Sequence, residues 1–369
     1  MVELWDVIVV GAGPGGAISA RECAAHGLKT LLLEKKKMPR DKVCSGMVMG
    51  EWAQDIVKNG FGEIPEDVLA EPGYLLGYAV HVPGAKVRTL DITTPVAWRK
   101  DLDYWMCQRA QDAGAEIWDE VRVLGAKYED GKYRVHLRRG GMDRELAANY
   151  LVGADGARSA VRSAIFPDLK TTYWQCFREC YDVRLELPER RFNFFSTVET
   201  APFYFCTHEK DGMLLMEGGA ALGKIRETAA ESRRYLIENH GLPPEAKSIW
   251  RDGCVEPILY RELFTGSFRP ADKNALLVGD AAGLNMPVTG EGVGTALKSG
   301  MDAAGAILQA AAGEGYAAGT YLPTVDEIVE KYQDIYSFSR RIKEAASTGE
   351  PESLSVALLQ SWDHALRCF

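Results

Sequence analysis

Blocks of apolar residues at the start of the chain are separated by glycines, which predicts regular elements. Residues 4–10 form a short apolar run rich in β-branched residues, and Gly-Ala-Gly-Pro-Gly-Gly ends it sharply. Residues 17–26 have helical character and are closed by Gly27, and residues 30–33 form a second buried-strand run. Strand, glycine turn, helix and strand in this order predict a βαβ unit that opens a parallel sheet.

The middle of the chain follows other patterns. From about residue 171 to residue 268, apolar and polar positions alternate, which is typical of an antiparallel sheet with one wet face. Asp130-Gly131 suits a hairpin turn. The remaining runs predict a mixed region at 52–96, a helix at 101–113, strands at 116–127, 133–137, 150–153 and 275–278, an Ala-rich helix at 294–312, and a helical tail from 324 that breaks at 348–351.

The glycines after the first strand carry the first candidate chemistry. Gly11, Gly13 and Gly16 fit the pattern GxGxxG, with Pro14 and Gly15 between them. In this context glycine permits a tight turn, close approach of backbone to a pyrophosphate, and close packing of helix on strand. Glu34 ends the second strand, where an acceptor for a ribose hydroxyl is expected. We therefore predict a dinucleotide site rather than a merely glycine-rich turn.

Two later stretches indicate FAD rather than NAD. One places Asp155 and Gly156 at the end of a strand, and the other does the same with Gly279 and Asp280. An aspartate at a strand's carboxyl end can accept a hydrogen bond from a ribityl hydroxyl. The backbone at the start of the following helix can donate to the pyrophosphate or the flavin. That helix start consists of Gly290, Gly292 and Val293 with their neighbours.

These motifs together resemble the flavoproteins built like para-hydroxybenzoate hydroxylase. Within that group, Arg-Asp-Lys-Val-Cys-Ser-Gly at 40–46 and Pro-Val-Thr-Gly-Glu-Gly at 287–292 look most like the geranylgeranyl reductase family, which includes archaeal digeranylgeranyl-glycerophospholipid reductases. The resemblance covers about residues 4 to 300 and is thin in the middle. It implies an FAD enzyme that saturates isoprenoid double bonds.

The resemblance also implies roles for residues. Glu34 holds the adenosine ribose, and Arg40 and Arg99 lie along the cofactor. Val123 meets the adenine through its backbone, while Asp280, Gly292 and Val293 meet the ribityl and flavin end. Cys44, Ser45 and Gly46 form the loop beside the isoalloxazine. The full set of predicted cofactor-binding residues is Gly11, Gly13, Pro14, Gly15, Gly16, Glu34, Lys35, Arg40, Cys44, Ser45, Gly46, Arg99, Val123, Asp155, Gly156, Gly279, Asp280, Gly290, Gly292 and Val293.

The predicted fold class is α/β, with a Rossmann-like FAD-binding domain interrupted by an antiparallel-sheet substrate domain and followed by a short helical C-terminal region. The FAD-binding domain is expected at residues 1–50, 96–165 and 270–320. The substrate-binding domain is expected at 51–95 and 166–269, and the C-terminal helices at 321–369.

The catalytic candidates are Cys44 and Tyr204. Cys44 is interpreted as a reactive thiol, as a proton donor to a substrate carbon, or as a packing residue of the flavin loop. The family's Tyr-x-Trp-x-Phe-Pro motif has its counterpart in the stretch Phe-Tyr-Phe-Cys-Thr-His-Glu at 203–209, which keeps Tyr204 but lacks the Trp, the Phe and the Pro. His208 is more often structural or solvent-facing than a proton donor, and Lys35, Lys36 and Lys37 are expected in a solvated loop.

We therefore predict an FAD-dependent oxidoreductase that reduces carbon–carbon double bonds of an apolar, isoprenoid-like or lipid substrate. It would receive electrons from an external donor, which is NAD(P)H, ferredoxin or a quinol. The alternative is an FAD-dependent aromatic monooxygenase that forms a hydroperoxyflavin. A third interpretation, from a different class, is a non-catalytic FAD-binding or electron-relay protein.

The composition of the chain limits which binding partners and which cellular compartment we expect. The 369 residues carry a formal net charge of -9, which disfavours nucleic acid as a partner. The apolar runs are too short to cross a membrane, and the N-terminus has no signal-peptide pattern, so we expect a cytoplasmic protein. Peripheral contact with a membrane is compatible with a lipid substrate. The eight cysteines are expected as reduced thiols, and Cys176 and Cys180 have no further ligands at metal-like spacing, so we expect no metal site.

Overall fold

The computed structural model describes residues 2–198, 204–313 and 315–369, and of Tyr204 it describes the backbone alone. Within these ranges the strands are β1 Glu3–Val10, β2 Thr30–Leu33, β3 Leu69–Leu75, β4 Gly77–His81, β5 Arg88–Leu90, β6 Thr94–Ala97, β7 Glu116–Trp118, β8 Val121–Glu129, β9 Lys132–Arg139, β10 Met142–Gly153, β11 Thr172–Tyr181, β12 Arg191–Ser196, β13 Tyr204–Lys210, β14 Met213–Ala221, β15 Trp250–Ile258, β16 Ala271–Asp272 and β17 Ala275–Leu277. The helices are α1 Pro14–Ala25, α2 Glu51–Phe61, α3 Arg99–Asp112, α4 Ala160–Ile165, α5 Ile225–His240, α6 Tyr260–Phe264, α7 Val293–Ala311, α8 Ala317–Ser347 and α9 Pro351–Arg367.

The first sheet has the order β16-β17-β10-β1-β2-β7, with β9 also pairing with β10 and β8 pairing with β9. Strand β1 is parallel to both β10 and β2, and β17 is parallel to β10. Val7, Ile8 and Val9 are fully buried, and helix α1 packs against β1. Burial of consecutive residues explains the unbroken apolar run. The predicted α/β fold with its βαβ opening is confirmed.

The second sheet has the order β15-β11-β14-β13-β12-β4-β5. Its pairs are antiparallel except for β12 and β4, which run parallel. Strand β4 belongs to the earlier segment that precedes α3. A separate pair, β3 with β6, connects this region to the loop at residues 44–46.

Both faces of the second sheet are covered, so the prediction of one wet face was wrong. Phe177, Phe195 and Phe205 pack with α5 on one face. Phe192 and Phe194 pack on the other face with Trp362 of α9. Helix α5 was missed because its sequence is strongly polar and buries only three residues, Thr228, Ser232 and Leu236.

Helix α7 packs against α1, α2 and α8 and carries much of the main core. Small residues allow the close contact with α1, since a Cβ on Gly300 would lie 2.4 Å from the Gly15 carbonyl oxygen. This confirms the prediction that the Ala-rich segment is a packing helix. In the described part of the chain, no helix is both long enough and apolar enough to cross a membrane.

Candidate active site

The glycine loop after β1 leaves space on one side and none on the other. Gly11 has φ +107°, and a Cβ there would lie 2.3 Å from the Ala154 carbonyl oxygen. A Cβ on Gly16 would lie 1.9 Å from the Gly11 carbonyl oxygen. A Cβ on Gly13 would meet nothing closer than the Arg99 guanidinium at 3.8 Å. Gly11 and Gly16 therefore keep the turn tight, whereas Gly13 borders open space at the N-terminus of α1.

A buried chain of charges forms one wall beside this loop. Arg40 lies 3.0 Å from the Glu34 carboxylate through Nε and 2.9 Å from Asp103 through Nη1. Arg99 donates to Asp103 from Nε at 2.7 Å and from Nη2 at 3.0 Å. Glu34 also accepts hydrogen bonds from the backbone N–H groups of Ala12 and Lys36. The network fixes the orientation of both arginines that the resemblance places along a cofactor.

The opposite wall begins at the ends of β10 and β17. Asp155 accepts hydrogen bonds at Oδ2 from the N–H groups of Ala160 and Val161, at 2.6 and 3.3 Å. Burial raises the pKa of Asp155, and the Ser159 hydroxyl and these N–H groups oppose that rise. Arg162 of α4 reaches across and donates to the carbonyl oxygens of Asp280 and Ala281. These two hydrogen bonds from Arg162 fix the position of the Gly279–Ala281 turn.

The start of α7 completes the enclosure. Gly292 is the N-cap, with no side chain that could cap the helix, and a Cβ on it would lie 3.5 Å from Asp280 Oδ1. Glu291 accepts a hydrogen bond from the Gly294 N–H at 2.6 Å. Burial raises the pKa of Glu291 to about 7, and Asp280 adds to the rise. The positive end of the α7 dipole lies at this helix start, and it favours a negatively charged or carbonyl-bearing group nearby.

These walls enclose a cavity of about 700 Å³. It brings together most of the residues that the sequence predicts for a cofactor, namely Gly11, Gly13, Pro14, Gly15, Glu34, Lys35, Arg40, Cys44, Arg99, Val123, Asp155, Gly156, Gly279, Asp280, Gly290, Gly292 and Val293. Gly16, Ser45 and Gly46 are not among its lining residues. The side chain of Tyr204 lies outside the described residues, although its backbone begins β13.

Comparisons with known proteins agree with this geometry. Two protein-family profiles, each described as an FAD binding domain, match residues 92–209 and residues 6–46. Protein CbrA of Escherichia coli O9:H4 (strain HS) is 26% identical over 309 residues, which span 81% of this chain and 80% of that protein.

Solved structures share the fold. A geranylgeranyl bacteriochlorophyll reductase-like protein from Thermoplasma acidophilum has a TM-score of 0.78 at 21% identity, over 98% of this chain and 96% of that one. A variant of the halogenase PltM in complex with FAD has a TM-score of 0.70 at 17% identity, over 93% of this chain and 77% of that one. The chain is an FAD-dependent flavoprotein. Its enzyme class is oxidoreductase.

The cavity of the flavoprotein fits FAD by its own donors and acceptors. Gly13 leaves room for backbone to approach a pyrophosphate at the start of α1. Asp155 Oδ1 and Asn285 Oδ1 are buried and have no hydrogen-bond partner among the described residues. Both residues line the cavity, so ribityl or ring N–H and O–H groups would satisfy these acceptors.

The loop at 44–46 is held from below by two buried cations of the second sheet. Lys210 of β13 donates to the Ala97 carbonyl oxygen at 3.1 Å and also to the Ser45 carbonyl oxygen. Arg178 of β11 donates to the Cys44 carbonyl oxygen at 2.6 Å. The backbone of Gly46 lies so close to β6 that no larger residue fits there, because a Cβ on Gly46 would lie 1.9 Å from the Ala97 carbonyl oxygen. Its position is therefore set by the sheet.

The two cations share their environment with acids. Arg178 pairs with Asp252 at 2.7 Å, and burial lowers the pKa of Lys210 while Glu217 opposes that effect. Burial raises the pKa of Glu217, whose Oε1 has no partner within the described chain. His208 is buried, and burial together with Lys210 lowers its pKa well below the usual range. The ring is therefore neutral at physiological pH, and it is not exposed to solvent.

Sequence reasoning missed several residues of this site. Asp103 is fully buried, and its spacing of four from Arg99 on a helix was a usable signal. Glu217 follows the apolar run Met-Leu-Leu-Met of β14, which is a second signal, whereas Arg178 and Lys210 stand among other polar residues of their strands. Glu256 also lines the cavity, and burial raises its pKa to about 7 with a further contribution from Asp280. No local pattern distinguishes Glu256 from an exposed strand residue.

Several phenylalanines of the second sheet serve as packing residues. Phe177, Phe195 and Phe205 lie in the cluster beside α5, and Phe192 and Phe194 lie in the cluster beside α9. Phe203 falls outside the described residues. Lys35, Lys36 and Lys37 are exposed, as expected for a solvated loop.

Proposed function

We propose that the flavoprotein reduces a carbon–carbon double bond of an apolar, isoprenoid-like substrate. Bound FAD in its reduced form supplies the hydride. The remaining work falls to this chain's own residues, which orient the double bond, exclude water and deliver a proton to the second carbon. An external electron donor, which is NAD(P)H, ferredoxin or a quinol, must reduce the cofactor.

The observation that carries this proposal is the position of Cys44. It lines the cofactor cavity, and its loop is fixed through the carbonyl oxygens of Cys44 and Ser45 by Arg178 and Lys210. Burial lowers the pKa of Arg99, but Asp103 and Cys44 raise it by a larger amount, so a cation stands next to the thiol. A thiol held rigidly in this way is suited to give a proton to a substrate carbon.

Further support comes from the motifs of the loop and from a shared fold. The Arg-Asp-Lys-Val-Cys-Ser-Gly stretch resembles the geranylgeranyl reductases, and the Thermoplasma acidophilum protein is described as geranylgeranyl bacteriochlorophyll reductase-like. We also propose the residue roles that the resemblance implies, with Glu34 at the ribose, Asp280 at the ribityl chain and Val123 at the adenine. Tyr204 remains a proposed substrate contact, and the domain boundaries remain predictions.

A second candidate is oxygen-dependent hydroxylation of a polar aromatic substrate. The observation that favours it is the set of buried polar groups on the loop-facing side of the second sheet, formed by Arg178, Glu217 and His208. A hydrocarbon forms no hydrogen bond or ion pair with such groups, whereas a phenol or a carboxylate can form both kinds of contact. The fold is not confined to reductases, because the halogenase PltM shares it.

A single anaerobic experiment separates the two candidates. The purified protein is chemically reduced without oxygen and mixed with a geranylgeranyl lipid, and flavin absorbance and product mass are followed. Reoxidation with a gain of two hydrogens per double bond supports reduction. If the flavin stays reduced until air enters, and an aromatic substrate then gains an oxygen atom, the protein is a hydroxylase and not a reductase of double bonds.

Variants test the role of Cys44. Replacing the thiol, as Cys44→Ala, is expected to slow anaerobic reoxidation by about 10²-fold, which is typical for loss of a general acid. Cys180→Ala is the matched control, because Cys180 is buried in the second sheet and contacts Met213 rather than the cavity. Equal rates for the Cys44→Ala variant and the wild type would remove the thiol from the mechanism.

A further inference from the structure

Two cysteines lie directly opposite each other on neighbouring strands of the second sheet. Strands β11 and β15 are antiparallel, and Cys176 is paired in register with Cys254. Side chains of residues paired in this way point to the same face of the sheet. Cys254 lines the cofactor cavity, so Cys176 lies beside it on the cavity side.

The two thiols interact with each other and with an acid. The hydrogen bond with Cys254 is the largest cause of the raised pKa of Cys176, followed by burial and by the nearby Glu256. Glu256 lies two residues after Cys254 on β15, lines the same cavity and interacts with the Cys176 thiol through its carboxylate. Cys176 and Cys254 are both half-buried, so neither is sealed in the core.

The strand geometry permits a bond between the two sulfurs. Opposed residues on antiparallel strands have Cα atoms roughly 4.5 to 5.5 Å apart. A disulfide accepts Cα separations of about 4.4 to 6.8 Å. Cys180, the next cysteine on the same face of β11, is paired instead with Trp250 and Leu215. The register therefore selects a single pair.

We propose that Cys176 and Cys254 form a dithiol–disulfide couple that exchanges two electrons with the bound FAD. In the oxidising direction, two S–H bonds break and one S–S bond forms, releasing two electrons and two protons. Oxidised FAD, when bound in the cavity, would be the acceptor of both electrons and of one proton. Glu256 accepts the other proton, from Cys176, and passes it to solvent. Because Cys176 holds its proton, Cys254 is the sulfur that reacts first.

This couple goes beyond the proposed function and needs only the FAD. It offers a path for electrons from an external dithiol to the flavin, by thiol–disulfide exchange at the half-buried pair. It also lets the protein hold four reducing equivalents, two on the flavin and two on the thiols. The carbon substrate plays no part in either property.

The first experiment tests the bond itself without any turnover. The wild-type flavoprotein is oxidised with diamide, alkylated, digested without reductant and mapped by mass spectrometry. We expect one linked peptide pair that contains Cys176 and Cys254 and is two hydrogens lighter than the reduced peptides. Cys176→Ser and Cys254→Ser should lack it, while the control Cys180→Ser should keep it. Absence of the linked pair in the wild type overturns the proposal.

The second experiment counts electrons. Diamide-oxidised wild-type protein, titrated with dithionite without oxygen, should require four electrons per FAD, whereas wild-type protein whose thiols were blocked with iodoacetamide before the diamide treatment should require two. Cys254→Ser should require two after either treatment. A requirement of two electrons by the diamide-oxidised wild type would overturn the exchange with FAD even if the disulfide forms. The comparison of two forms of the wild type remains decisive if the serine variants fold poorly.

Discussion

Arg99 and Asp103 form a two-point ion pair one helical turn apart on α3, with Nε–Oδ1 at 2.7 Å and Nη2–Oδ2 at 3.0 Å. The Asp103 side chain is fully buried and also contacts Arg40 at 2.9 Å. One carboxylate thus orients two guanidinium groups toward the cofactor cavity. Removing its charge leaves two buried cations with one remaining acidic neighbour, Glu34.

We therefore expect Asp103→Asn to lower the free energy of unfolding by about 3 kcal/mol, as for a broken buried ion pair. FAD affinity should fall as well, because both arginines lose their orientation. Urea denaturation and the fluorescence of released FAD measure the two effects. Asp112→Asn on the same helix is the control, since its pair with Arg109 is exposed, and it should behave like the wild type. Unchanged stability of Asp103→Asn would contradict a structural role for the network.

Gly13→Ala tests the proposed pyrophosphate-binding role of the glycine loop at the start of α1. The backbone of Gly13 has φ −89°, which alanine adopts, and the new Cβ meets no atom closer than 3.8 Å. The apoprotein should therefore keep its stability, while the methyl group occupies the approach to the pyrophosphate. We expect at least about a tenfold loss of FAD affinity, equal to about 1.4 kcal/mol, by fluorescence titration. Gly305→Ala, in open space on α7, is the control and should bind FAD normally.

Glu291 predicts a specific dependence of stability on pH. Its pKa is about 7 in the folded protein against 4.5 as the ordinary value, so the folded state binds the proton more tightly. This contribution to stability is complete below pH 4.5 and is lost as the pH rises through 7. Glu291→Gln keeps an acceptor for the Gly294 N–H without the titration.

From pH 5 to pH 8 the wild type should therefore lose about 3 kcal/mol relative to Glu291→Gln, measured by denaturation at each pH. Exposed Glu238→Gln on α5 should track the wild type across the same range. Parallel curves for the wild type and Glu291→Gln would show that the carboxyl group is not perturbed.

Lys210→Met removes the anchor of the loop at 44–46. The carbonyl oxygens of Ser45 and Ala97 lose their shared buried donor, which should cost about 1 to 3 kcal/mol. A looser loop should also expose the flavin, so quenching of its fluorescence by iodide should increase. Exposed Lys224→Met provides the control and should show neither change. Wild-type quenching in Lys210→Met would mean that Arg178 alone holds the loop.

The elements near the two ends of the chain, such as β2 and α7, were predictable from local sequence. Residues 30–33 form β2 as expected, and the predicted helix at 294–312 corresponds to α7 at Val293–Ala311. Long apolar runs and glycine turns are local signals, since buried parallel strands and helix starts need them whatever lies around them. The second sheet was less predictable, because its parallel pair of β12 and β4 joins segments more than a hundred residues apart.

The sequence by itself determined that the chain binds FAD, because its glycines stand at the fixed spacing that a turn against a pyrophosphate requires. The register of β11 with β15 was decided only by the tertiary structure, as were the pairing of Asp103 with two arginines and the support of Cys44 by Arg178 and Lys210. These contacts join residues far apart in the chain, so their energies depend on which strands become neighbours. The perturbed acids Glu217, Glu256 and Glu291 likewise owe their pKa values to burial, which no single segment encodes.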